Sequence, residues 1–323
     1  MAFSLSLPSC LLAVLGLVSP GPETGAREAQ ELLRIVTTIP DLADIARRVG
    51  GDAVRVDCIA RGSENLHSVR LRPSHMVVTS KADIFIQVGL ALEHSWVPGL
   101  LESSRNRRIA IAGPLNVGDG WPGRIEIPVT LDRTAGVDIH PLGNPHINLH
   151  PGFGPFAARK IRDRLKEERP QSAEMFDERC AAYEKLVAGH AKRWSRISEL
   201  LKGRKVVQYH KEFSYLCKAN GLEMVGALEP KPGVPPTPGH LAKLAVKMRE
   251  QEVRVVLHGP WTPGRVAKDA AQRAGARAVE LQVMTQREGD SWHAFMDRSH
   301  EALLEAWGLE LQKAEPGKEK EDG

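Results

Sequence analysis

The sequence predicts an α/β protein in which two parallel-sheet lobes are joined by one long rigid helix, with a metal site in the cleft between the lobes. Three observations carry that reading. Short apolar runs alternate with segments of helical spacing in both halves of the chain. Between the halves lies an apolar stripe from Phe176 to Leu201 whose steps alternate between four and three. Four histidines, His67, His146, His210 and His258, fall in loops or at strand ends, where open parallel sheets bind ligands.

Residues 33–38 read as a first strand. Residues 41–49 carry Leu42, Ile45, Ala46 and Val49 at helical spacing, and Gly50-Gly51 stops the helix. Val54, Val56 and Cys58 alternate as a second strand, and a polar loop with Gly62 and His67 follows. Pro73 suits the first turn of a helix. A strand over 83–89, a helix over 92–103 and a strand over 108–112 complete the first alternation. Pro155 opens a helix to Lys166, and Pro170 opens a long one to about Leu201. Some thirty helical residues rise about 45 Å, which suits a strut along two lobes; a coiled-coil dimer is the second reading of that stripe. His190 lies on the stripe and reads as a packed core histidine.

The second alternation has strands at 205–209, 223–227, 253–258 and 278–283, and helices at 211–220, 240–250, 262–275 and 291–307. A proline-rich loop, 230–238, interrupts it. The expected organisation is a leader over 1–26, an N-terminal lobe over 27–169, a linking helix over 170–203, a C-terminal lobe over 204–309, and a charged disordered tail over 310–323.

Composition narrows the function. The 323 residues are 42% hydrophobic and 26% charged with a net charge of +4, which gives no basis for nucleic-acid binding. The first 18 residues are apolar but too short to span a bilayer, and they read as a secretory signal cleaved after Ala26. That places the mature chain in the periplasm or outside the cell. Cys10 sits within the apolar run and is not read as a lipoprotein cysteine. Cys58, Cys180 and Cys217 are an odd set at wide spacing, so at most one bridge joins two of them, and the sequence does not say which.

The segment from Gly136 to Pro151 puts His140, His146 and His150 within eleven residues, broken by Pro141, Gly143, Pro145 and Pro151. Such a loop holds imidazoles at low entropic cost, and neutral imidazole is a common ligand for zinc. Three or four imidazoles converging in one cleft make a tetrahedral zinc site.

The ordered motifs Gly62-Ser-Glu-Asn-Leu-His67, Leu71-Arg-Pro-Ser74, the run from Ala82 to Gly89 with Leu92-Glu93, Gly143-Asn-Pro-His146, and His210-Lys-Glu-Phe213 with Gly221-Leu222 cover most of residues 32–308. In these the chain resembles the ZnuA-like zinc/manganese solute-binding proteins of bacterial ABC importers. The resemblance implies two α/β lobes bridged by a long helix, metal ligands at His67, His146 and His210, and delivery to a permease with its ATPase. Four departures stand out. Asn144 replaces an Asp often found before Pro-His; Asn148-Leu-His150-Pro replaces Trp-Leu-Asp-Pro; a strand that often ends in Glu ends in His258; and Gln282 stands where an Asp ligand is often found, two residues after Glu280. The order for the fourth ligand is therefore His258, Glu280, then water. His140 and His150 are read as capture groups at the cleft mouth, with a place behind the ligands or on the surface as the alternative.

Imidazole ligands favour zinc over manganese, which prefers carboxylate oxygen. The expected function is a monomeric, non-catalytic receptor that captures zinc, less readily manganese, for import. A zinc hydrolase lacks a His-Glu-x-x-His motif, with only Glu64 or Glu212 as weak bases, and a zinc-holding adhesin or metallochaperone is the third reading.

Overall fold

The computed structural model describes residues 1, 31–126, 140–286 and 289–311. The leader after Met1, the start of the histidine loop before His140, and all of the tail after Leu311 lie outside the described residues.

The first half runs β1 (Leu33–Thr37), α1 (Pro40–Gly50), β2 (Val54–Cys58), α2 (Pro73–Ser80), β3 (Ile84–Gln87), α3 (Val97–Ser104), α4 (Arg107–Ala112) and β4 (Leu115–Asn116). Its strands form a parallel sheet in the order β2-β1-β3-β4. Then come α5 (Phe153–Glu168) and α6 (Ala173–Leu201). The second half runs β5 (Lys205–Gln208), α7 (Ser214–Ala219), β6 (Glu223–Ala227), α8 (Pro238–Glu250), β7 (Val255–His258), α9 (Gly264–Arg273), β8 (Arg277–Glu280) and α10 (Trp292–Ala306). Its parallel sheet has the order β6-β5-β7-β8, so the strand order of the first half recurs. Side chains on both faces of the inner strands are buried, as expected when helices cover a parallel sheet on both sides.

Helix α6 has 29 residues and rises about 43 Å. Phe176, Cys180, Tyr183, Val187, Trp194, Ile197 and Leu201 are buried along it, against α5, α1 and α10. The stripe is thus covered within the chain, and no coiled-coil partner is needed to bury it. His190 is the exception. It is half-buried, and its Nδ1 meets Asp297 Oδ2 of α10 at 2.8 Å, while Trp194 Nε1 donates to Asp297 Oδ1 at 2.7 Å. A large apolar core continues from β1 through α5, α6 and α10, and a smaller one lies under α8 and α9.

Two expectations fail locally. The run 108–112 is helical, as α4, because the Asn106 side chain accepts from Ile109 N and so caps a helix; an alternating run this short fits either period. The third-to-fourth strand step is made instead by the two residues of β4. The helix expected from Leu92 begins at Val97, because Gly89, Leu90 and Ala91 have φ of 79°, 54° and 64° and fold the chain into a turn. All three described cysteines, Cys58, Cys180 and Cys217, are free.

Candidate metal centre

Three histidines from separate loops meet. One ring nitrogen each of His67, His146 and His210 lies within 4.8 Å of the others, and all three residues are buried. Their ring centroids are 5.1 to 5.4 Å apart.

His67 follows β2 in a loop held from two sides. Its own N–H donates to Asn65 Oδ1, Trp96 Nε1 donates to Leu66 O at 2.9 Å, and Ser95 Oγ donates to His67 O. The left-handed turn at 89–91 delivers Ser95 and Trp96, and it is tied by Glu93, whose carboxylate accepts from Thr38 Oγ1, Val88 N and Gly89 N. Gly62 lets this loop lie against the loop after β8: a Cβ there would sit 2.5 Å from Gln286 Cα.

His146 has its orientation fixed by Asn144. Both His146 N and His146 Nδ1 face Asn144 Oδ1, at 3.0 and 2.9 Å, while Asn144 Nδ2 donates to Lys211 O at 2.8 Å. The amide therefore presents its oxygen to the ring, Nδ1 carries the hydrogen, and Nε2 keeps a lone pair. An Asp at this position would lack the donor that reaches Lys211, so Asn is the residue this contact requires. His210 is treated likewise: its Nδ1 donates to Glu229 Oε2 at 2.7 Å, and that carboxylate oxygen also accepts from Gly233 N. A carboxylate behind a histidine fixes the tautomer and raises ligand basicity. Glu229 escaped the sequence reading; its one sequence signal is a carboxylate just before Pro230, at the carboxyl end of a strand.

His67 Nε2 lies 3.1 Å from His146 Nε2. Since the latter is a lone pair, His67 donates here, and a metal entering between them needs the His67 hydrogen on Nδ1 instead. Tetrahedral zinc with Zn–N near 2.05 Å holds its nitrogens about 3.3 Å apart, so the pair is already close to ligating separation. Burial, followed by the neighbouring imidazoles, holds His67 and His146 well below the usual histidine range, so both are neutral and free to ligate near neutrality.

The other expected residues fall elsewhere. His258 is buried at the end of β7, but strand alternation puts it on the face of Val256, under α8 and α9. Its Nδ1 faces Gly259 O, and a Cβ on Gly264, the first residue of α9, would be 3.3 Å from its ring. It is not among the three that converge. Glu280 pairs in register with His258 and is exposed. Gln282 is half-buried and its Oε1 has no hydrogen-bond partner. Glu212 is buried and accepts from Trp261 Nε1, and burial pushes its carboxyl up to about 7. Glu64 accepts from Arg61 N and pairs with Arg72. His150 accepts from Gly152 N at the start of α5 and packs on Trp121, away from the three. His140 is not at a cleft mouth but buried, with its ring centroid 4.9 Å from that of His67.

Comparisons with known proteins place the chain in a family. A family model described as zinc-uptake complex component A, periplasmic (ZnuA), matches residues 35–306. The zinc-binding lipoprotein AdcA of Streptococcus pneumoniae is 23% identical over 298 residues, 90% of this chain and 59% of AdcA, so the chain spans about three-fifths of that relative. The iron-binding protein YfeA of Yersinia pestis is 26% identical over 281 residues, 85% of this chain and 83% of YfeA. A crystal structure of ZnuA superposes with a TM-score of 0.72 at 20% identity, covering 85% of this chain and 99% of the other. With its family match across nearly all of the described fold, the chain belongs to the ZnuA family.

Proposed function

We propose that this protein is an extracytoplasmic receptor that captures zinc through His67, His146 and His210 and delivers it to an ABC permease with its ATPase. The observation that carries the reading is the fastening of the rings: two of three converging imidazoles have Nδ1 committed to Asn144 and Glu229, which aims Nε2 lone pairs at one point. A hydrolase would need a general base beside the metal; both Glu64 oxygens are engaged, by Arg61 N and Arg72, and Glu212 gives one of its two to Trp261.

The family's named members support a metal cargo, with zinc named for AdcA and iron for YfeA. An all-nitrogen donor set favours zinc over manganese here. Each half, 27–169 and 204–309, acts as a lobe about the strut 170–203. The core shared with α6 and α10 restricts cargo-linked movement to a small closure. Among the described residues no helix is long and apolar enough to cross a membrane, and a cleaved leader over 1–26 accounts for export.

The test is calorimetric zinc titration of the metal-stripped mature chain. One tight site per chain, lost in His146→Ala with the fold retained, is expected. Absence of a tight site in the wild type, or full affinity in His146→Ala, defeats the reading.

A further inference from the structure

The geometry points to His140 as the fourth ligand of the metal, completing a four-imidazole site. This rests on the receptor reading above and deepens it.

His140 is 2% exposed, and among the described residues neither of its ring nitrogens has a hydrogen-bond partner of normal geometry, although the Ala91 carbonyl faces the ring. A buried imidazole left unpaired at both nitrogens is costly, and such a group calls for an explanation. A ligand held only in the loaded state supplies one. Its ring centroid is 4.9 Å from that of His67 and 6.3 Å from that of His146, beside the three whose ring nitrogens lie within 4.8 Å of one another but not among them.

The local chain is built to keep it there. Gly143 N donates to His140 O at 3.0 Å, and Gly143 sits at φ 97°, closing a turn between His140 and Asn144. A side chain at Gly143 would meet the Arg124 side chain and Ile125 O as well as the unfavourable φ. Asn144 N donates to Ile125 O at 2.8 Å and anchors the far side of the turn.

His258 faces α9 and Glu280 is exposed; Glu212 accepts from Trp261 with Oε2, while its Oε1, like Gln282 Oε1, is unpaired among the described residues, so His140 is set apart by having both ring nitrogens unpaired and its ring against that of His67. Having no hydrogen bond to break, the His140 ring can shift towards the other three on metal arrival. Beyond it lies His94, exposed, with its ring centroid 6.3 Å from that of His140, so a line of imidazoles leads from solvent to the cluster. Four neutral nitrogens also make the site a poorer host for manganese than three with a water.

The experiment compares wild type, His140→Leu and His258→Ala. X-ray absorption of the zinc-loaded chain should count four imidazoles in the wild type and in His258→Ala, and three in His140→Leu. Chelator competition should show zinc affinity falling roughly 100-fold in His140→Leu. Metal-free His140→Leu should melt no lower than the wild type, because an unpaired polar ring has been removed. Four imidazoles retained in His140→Leu, or three in the wild type, overturns the inference. Loss of an imidazole in His258→Ala instead would give that place to His258. A wild type that binds no zinc at all would defeat the receptor reading itself, which is a separate result.

Discussion

The two halves share a strand order, yet the only loosely held rings of the cluster, those of His67 and His140, both belong to the first. In the second half, His210 comes directly off β5, is clamped by Glu229, and packs against Trp261 at 5.4 Å between centroids. In the first half, His67 and His140 sit on irregular loops well beyond their nearest strands. His67 has its backbone fastened but not its Nδ1, and His140 has neither ring nitrogen fastened. The second half offers one preset donor; the first offers another, His146 held by Asn144, beside two that settle on arrival. A site built this way gains affinity from the rigid side and gives way on the loose side, which suits a carrier that must also let go.

The largest effect should come from removing the preset donor. His210→Ala is expected to weaken zinc binding roughly 1,000-fold, and His67→Ala by less, as measured by chelator competition. Equal losses would erase the contrast between the halves. Glu229→Gln keeps the shape but weakens the acceptor behind His210, and should cost about 10- to 100-fold in affinity with the melting temperature nearly unchanged. Asn144→Asp removes the donor to Lys211 O, and a loss of about 10-fold is expected, read by calorimetry.

The smallest expected effect lies outside the cluster. Burial pushes the Asp41 carboxyl from 3.8 up to about 8, with Thr285 N donating to Oδ1. The folded chain thus keeps a proton that the unfolded chain has released, and the stability it contributes is lost as pH rises from 3.8 through about 8. Asp41→Asn should flatten the decline of melting temperature over that range and leave zinc affinity alone. An unaltered pH profile would show that Asp41 is ionised in the fold.

Much of this was legible in the sequence. The stripe from Phe176 to Leu201 gave the long helix because its period persists over three heptads, too long for accident. His67, His146 and His210 were found because loops after parallel strands converge at one edge. His258 also ends a strand, but a single-residue phase difference turns it to the face of Val256 and leaves it outside the three that meet, and that phase is not legible in the sequence. The helix α4 was missed because Arg-Ile-Ala-Ile-Ala alternates, and the deciding contact is the Asn106 cap. The burial of His140 depends on a turn at Gly143 whose partners, Arg124 and Ile125, lie far back in the chain.

Asn144 ties the two sides of the cleft with one amide: its oxygen steers the His146 ring, and its nitrogen grips the backbone beside His210. Parting the two walls pulls on the same group that aims the lone pair. In the receptor role proposed above, unloading would be geared to separation: a docked membrane partner that parted the walls would also turn a donor away from the cargo, with no chemical trigger.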